Sequence, residues 1–344
     1  MQKELVHNRI IEIDIIRCIV IILLVLFHSF APYTKGWEEI PDTNCNIQEY
    51  YWLGKFFYSG MLETFVMISG YIFSFTFHKP KINYKKIVLK KIKRLYFPTI
   101  IWGIIFILIL GNIHFFTRPT FFISILNGIA HLWFLPMLFW CMVFELFIGR
   151  HIPQKYIFLL ALLSAIPLPT VPILKLNLYY CFFFHLGSII ASNKQFIISY
   201  FTTKKFLFLC VLYIVAFFSL SYVNDNYILF DSTTLLLPKF GLIYTHNLFR
   251  FIYSIFAVFI FYYVGTHIRL SSTWRNIILS LSSLSFGIYI LQEIILRILY
   301  YKLEIAKYIG DFMTPWIGFI ITFILSCILS SALNKNKYTK ILLG

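Results

Sequence analysis

Runs of about 20 mostly apolar residues recur along the whole of this chain, the length an α-helix needs to cross a bilayer. Ten such runs stand out, at 10–32, 56–77, 95–113, 128–148, 156–173, 177–191, 206–223, 247–265, 277–300 and 315–333. The fifth and sixth are the weakest, since Pro167, Pro169 and Pro172 crowd the end of one and the other is short. Of the 344 residues, 60% are hydrophobic and only 13% charged, against about 25% charged in soluble domains. That excludes a soluble globular fold. The sequence predicts an all-α integral membrane protein, a polytopic bundle of about ten transmembrane helices.

The net charge of +16 comes from 30 Lys+Arg against 14 Asp+Glu, a balance that would suit nucleic acid on a soluble surface. Its placement argues otherwise, because cytoplasmic loops collect Lys and Arg. With the N-terminus inside, 20 of the 30 basic residues fall in inner segments, seven in outer ones, and three (Arg17, Arg250 and Arg297) within spans. Glu4 is the one acidic residue in an inner segment. Both termini are therefore expected in the cytoplasm, the basic charge reports topology in a lipid bilayer, and no nucleic-acid partner is expected. The six cysteines show no paired spacing and five lie in apolar stretches, so neither a disulfide framework nor a metal site is indicated. Asp14 and Arg17 inside the first run, with no small-x-small site before Pro32, argue against a cleaved signal peptide.

An ionisable residue within a span costs about 2.5–3.5 kcal/mol on insertion scales, so each one marks a candidate site. Arg17 and His28 are eleven residues apart in R-C-I-V-I-I-L-L-V-L-F-H. Eleven steps of about 100° nearly close three turns, which puts both side chains on one helix face about 16 Å apart along the axis. Asp14 precedes Arg17 by one turn. Taken singly, Arg17 reads equally well as a snorkelling residue paired with Asp14, and His28 as an interfacial one; neither reading explains the shared face. In M-L-E-T-F-V-M-I-S-G-Y, Glu63 falls at about the depth of His28. A carboxylate there can fix the imidazole tautomer and strengthen it as a general base, or can simply end in the headgroups. Ser69-Gly70 also has a packing reading, because small residues let transmembrane helices approach closely. Glu293 and Arg297, four apart, read as a structural bridge along one helix. His185 and Glu145 read as packed, hydrogen-bonded groups whose partners the sequence does not show.

The ordered set of motifs resembles the acyltransferase 3 family. I-D-I-I-R-C-I-V-I-I-L-L-V-L-F-H carries its Arg-x10-His pair as Arg17 and His28. Glu63 stands six residues before the matching Ser69-Gly70, and K-K-I-K-R-L-Y-F-P is similar to the Arg-x-x-Arg segment with Lys91 in the first place and Arg94 in the second. H-L-W-F-L covers His131 and Trp133, and S-F-G-I-Y-I-L-Q covers Ser285, Tyr289 and Gln292, with Gln292 where the family usually has His.

The resemblance implies one transmembrane acyltransferase domain over 1–344, in the inner (cytoplasmic) membrane, with no appended soluble domain. It implies an O-acyltransferase that moves an acetyl or other acyl group from acyl-CoA to a hydroxyl of a cell-surface or lipid-linked carbohydrate, without a metal. His28 and Glu63 take the catalytic places. Arg17, Lys91 and Arg94 take the places that bind acetyl-CoA, and Ser69, His131, Trp133, Tyr289 and Gln292 those around the substrates. Eight basic residues from Lys79 to Arg94 suit the phosphates of CoA, though most of the lysines serve equally as topology determinants. A transporter, flippase or polymerase of lipid-linked saccharide units is the alternative. It would be expected to show corresponding halves with broken helices, whereas the polar groups here concentrate in the first four runs.

Overall fold

A computed structural model describes residues 10–77, 82–111, 113–166, 176–228 and 236–343. Glu4, Lys79, Lys81, Pro167, Pro169 and Pro172, named above, lie outside the described residues. Those described form helices and no strand, as they must where no water can pair a lipid-exposed backbone. The principal helices are α1 (Ile11–Ser29), α2 (Gln48–Tyr58), α3 (Met61–Ser74), α4 (Tyr84–Leu110), α5 (Phe134–Phe147), α6 (Ile157–Ser164), α7 (Leu178–Ser192), α8 (Thr203–Ile228), α9 (Leu236–His267), α10 (Ser272–Arg297) and α11 (Thr314–Lys335).

Seven helical stretches among the described residues are long and apolar enough to cross a membrane: Gln48–Ser74, Tyr84–Leu110, Ala130–His151, Thr203–Val223, Tyr244–His267, Ser272–Lys302 and Thr314–Lys335. Three of the ten expected runs fall outside this set for physical reasons. The run at 10–32 forms α1, whose 19 residues include Glu12, Asp14 and Arg17. The runs at 156–173 and 177–191 give helices of only 8 and 15 residues.

The chain divides into two compact units. Unit 1 comprises the described residues of Met1–Tyr58, Ile87–Pro136 and Arg269–Gly344, and unit 2 those of Ser59–Lys86 and Met137–Ile268.

In unit 1, α10 packs between α1 and α11. The Cys18 thiol donates to the Ile278 carbonyl (3.4 Å) near one end of the seam, and Tyr300 donates to the Ser29 carbonyl (2.9 Å) at the other. These contacts make α1 and α10 parallel. The connection after α1 and the start of α2 are tied to the connection before α11, with Tyr33 donating to the Asp311 carbonyl (2.9 Å) and Tyr50 to that of Phe312 (2.7 Å).

Unit 2 is organised around α3 and α7, whose backbones nearly touch. A Cβ at Gly70 would lie 1.9 Å from the Phe184 carbonyl oxygen, and one at Gly187 would lie 2.0 Å from that of Met67. Small residues at such crossings exchange side-chain volume for close backbone contact, which is the packing reading of Ser69-Gly70. Phe182, Phe183 and Phe251 fill the core beside this crossing.

Candidate functional site

The seam between α1 and α10 carries polar groups at two levels. At the first, Arg17 Nη1 donates to Ser282 Oγ (3.0 Å) and to Asp14 Oδ1 (3.3 Å), and the Ser282 hydroxyl donates to the same Asp14 carboxylate. Three turns further along α1, His28 is buried against the ring of His131, whose Nδ1 lies 2.8 Å from Glu293. Ser282 and Glu293 are themselves eleven residues apart on α10. Two parallel helices thus repeat one spacing, and the shared face of Arg17 and His28 is the face α1 turns to α10.

Around His28 the side chains close into a ring. The imidazole stacks on Trp37 with centroids 5.7 Å apart and meets the His131 ring edge-on at 6.2 Å. His131 Nδ1 lies 2.8 Å from Glu293 Oε2, and its Nε2 lies 3.0 Å from the Ile290 carbonyl oxygen. The His131 backbone N–H also donates to Glu293 Oε2 (3.2 Å). On the other oxygen, Glu293 Oε1 accepts from Arg297 Nε at 2.8 Å. The Arg297 guanidinium then lies over Trp37 at 4.5 Å, which brings the ring of contacts back to His28. Tyr289 donates to the His131 carbonyl. Glu293 and Arg297 therefore do form the bridge expected from their spacing, but the bridge includes His131.

The segment before α5 places His131 there. Gly128 has φ +82°, and Ala130 has φ +49°, a left-handed value that a residue with a Cβ rarely adopts. A Cβ at Gly128 would lie 2.6 Å from the backbone of Leu132, so glycine is required. The tight turn leaves the His131 N–H at the start of a helix, where it has no intrahelical acceptor, and Glu293 takes it.

The two histidines differ in what remains available. His131 Nε2 meets the Ile290 carbonyl, and its Nδ1 lies close to Glu293 but, like Nδ1 of His28, has no partner in bonding geometry among the described residues. The His28 ring makes no hydrogen bond to a side chain among the described residues, and its Nδ1 has no partner in bonding geometry. Gln292, adjacent to Glu293, is fully buried, and neither amide atom is hydrogen-bonded among the described residues.

Glu63 lies in the other unit and has its own partners. It is fully buried, and its Oε1 accepts from Arg250 Nη2 (2.8 Å), Arg250 Nε (3.1 Å) and the Tyr179 hydroxyl (2.8 Å). Those are the partners of Glu63 within unit 2; within unit 1 the carboxylate linked to His28, through the His131 ring, is Glu293. Ser69, also in unit 2, donates to the Phe65 carbonyl one turn earlier (2.9 Å). In unit 1, Lys91 is half-buried and Arg94 exposed on successive turns of α4, and Trp133 is half-buried beside Phe134. In unit 2, His185 and Glu145 pair with each other, Nδ1 to Oε2 at 3.0 Å.

Trp37, Ser282 and Glu293's place beside His28 escaped the sequence reading. The recurrence of an eleven-residue polar spacing at 282 and 293 was a signal that could have found two of them. Among the described residues, no group of three or more His, Cys, Asp or Glu side chains is placed to hold a metal ion. A family model described as an acyltransferase domain matches residues 10–335. No curated protein and no solved structure matches the chain.

Proposed function

The chain belongs to the acyltransferase 3 family, and we propose that it is an O-acetyltransferase that uses cytoplasmic acetyl-CoA to esterify a hydroxyl of a cell-surface or lipid-linked carbohydrate. In this reading the chain is a single catalytic domain of about ten transmembrane helices in the inner membrane, with both termini in the cytoplasm. The observation that carries the proposal is the seam between α1 and α10, where a half-buried guanidinium and a buried imidazole sit on one face three turns apart. The separation of about 16 Å is comparable to an extended pantetheine arm.

Arg17 then holds the inner part of the donor, with Lys91 and Arg94 offered to the CoA phosphates near the cytoplasmic mouth. Phosphate binding suits this set, since Arg gives paired donors and Lys a point charge. The thioester reaches His28. A carbohydrate hydroxyl arrives from the outer side, and His28 removes its proton as the oxygen bonds to the thioester carbonyl carbon. The C–S bond then breaks, and the CoA thiolate takes the proton back from the imidazolium. The products are one ester and one CoA thiol, with no net proton change.

His131, whose Nε2 meets the Ile290 carbonyl and whose Nδ1 lies against Glu293, and Glu293 itself set the charge around His28 and so act as positioning residues. Tyr289 fixes the turn carrying His131, Trp133 belongs to the wall of the substrate path, and Gln292 supports that wall from its buried side. Glu63 and Ser69 act within unit 2, one in a buried ion pair and the other at a close helix crossing.

Mass spectrometry of surface polysaccharides from cells with and without the gene tests the reading. The expected result is loss of O-acetyl groups without loss of polymer. A fall in the amount of polymer with unchanged acetylation would instead support transport or polymerisation.

A further inference from the structure

The proposed reaction builds negative charge on the thioester carbonyl oxygen, and the ring of residues around His28 contains donors that could meet it. Most are already engaged. The His131 backbone N–H and Arg297 Nε donate to Glu293, the His131 ring faces Glu293 and Ile290, and Tyr289 donates to a backbone carbonyl. Three remain that hydrogen-bond to nothing among the described residues: the Gln292 amide, the Trp37 indole N–H and the two terminal amino groups of Arg297. Of these only Arg297 carries a charge to meet an anion, and access separates it from Gln292. Gln292 is 0% exposed, whereas the Arg297 side chain keeps 21% exposure.

Arg297 is also held in one orientation. Its Nε is tied to Glu293, and its guanidinium carbon lies 4.5 Å from the Trp37 ring centroid and 5.5 Å from that of Phe106. The same Trp37 ring stacks on His28, so proton acceptor and guanidinium are referenced to one indole. Directly after Arg297, over Ile298–Lys302, the helix widens to i→i+5 hydrogen bonding, as where Leu303 donates to the Ile298 carbonyl (2.9 Å). Such widened turns occur often at functional sites. Donors fixed before the reaction and aimed where charge develops stabilise a transition state without reorganisation.

We propose that Arg297 is a catalytic residue whose terminal amino groups bind the acyl carbonyl oxygen and stabilise the oxyanion formed when the acceptor hydroxyl attacks. Glu293 and Trp37 then have a second task, which is to hold that guanidinium beside His28. The proposal rests on the acetyl-CoA reading above. In the addition step the C=O π pair moves to the oxygen facing Arg297 while His28 takes the hydroxyl proton. In the collapse step that pair re-forms C=O, the C–S bond breaks, and the thiolate is protonated by His28.

The test uses membranes carrying the full chain, with [14C]acetyl-CoA as donor and endogenous surface polysaccharide as acceptor. It also measures the affinity of the purified protein for S-acetonyl-CoA, a ketone analogue that cannot transfer its acyl group. Arg297→Ala is expected to slow acetyl transfer by about 10²–10³-fold, the range for removing an oxyanion donor, and added methylguanidinium is expected to restore part of the rate. Arg297→Lys keeps a counter-ion for Glu293 and is expected to bind S-acetonyl-CoA within about threefold of wild type while still losing at least about tenfold in rate, because an ammonium lacks the guanidinium fork.

A rate within tenfold of wild type in Arg297→Ala, or a loss of S-acetonyl-CoA affinity in Arg297→Lys that matches its loss of rate, overturns the assignment. So does a defect confined to acceptors bearing carboxylate or phosphate, which would make Arg297 an acceptor-anion site. Absence of acetyl transfer by the wild-type chain overturns the underlying reading as well, so the two failures are distinguishable.

Discussion

Replacing His28 with alanine should abolish acetyl transfer while leaving donor binding nearly intact. The loss expected on removing a positioned general base is about 10²–10⁴-fold in rate. His28 stacks on Trp37 and faces His131, and no side-chain hydrogen bond among the described residues depends on it. Its removal therefore takes away the proton acceptor and little of the hydrogen-bonded frame. Arg17→Ala should behave in the opposite way. A charge-assisted contact contributes about 1.5–3 kcal/mol, so acetyl-CoA affinity should fall by about 10–100-fold. Equilibrium binding and single-turnover transfer, measured on both variants, read the two effects separately. Should His28→Ala abolish acetyl-CoA binding while Arg17→Ala spares it, the division of labour along α1 is wrong.

The second large effect is expected at Glu293. Its two oxygens join Arg297 on one side and His131, through both ring and backbone, on the other. Glu293→Ala leaves the Arg297 cation without its counter-ion in a largely buried setting, a change that typically costs 3–5 kcal/mol. The variant should lose most of its folded yield in detergent. Glu293→Gln keeps the shape and one acceptor but removes the charge, so it should fold. It should transfer acetyl at least about 100-fold more slowly, because a neutral amide no longer holds the guanidinium and the imidazole in fixed positions. S-acetonyl-CoA affinity separates this from misfolding. Wild-type rate in a folded Glu293→Gln protein would remove Glu293 from the chemistry.

What could be read in the sequence was what is local. Apolar length predicts the long helices, and the eleven-residue interval predicts that Arg17 and His28 share a face, since both follow from the helical repeat alone. The Glu293–Arg297 bridge is legible for the same reason. Long-range partners are not. Glu63 is joined to Arg250, 187 residues away, and His185 to Glu145, 40 residues away; no periodicity encodes either pair. His131 depends on a left-handed turn at Gly128 and Ala130, and only the glycine hints at it. Trp37 sits in the connection after α1, where apolar spacing carries no information about which ring a side chain covers.

The central claim is that donor and acceptor meet from opposite faces of the membrane along the seam of α1 and α10. Sealed vesicles of known sidedness test it most directly. With [14C]acetyl-CoA added outside, inside-out vesicles should label polysaccharide enclosed in their lumen, and right-side-out vesicles should label nothing until they are permeabilised. Equal labelling in intact right-side-out vesicles would mean that donor and acceptor enter from the same face, and would contradict the account.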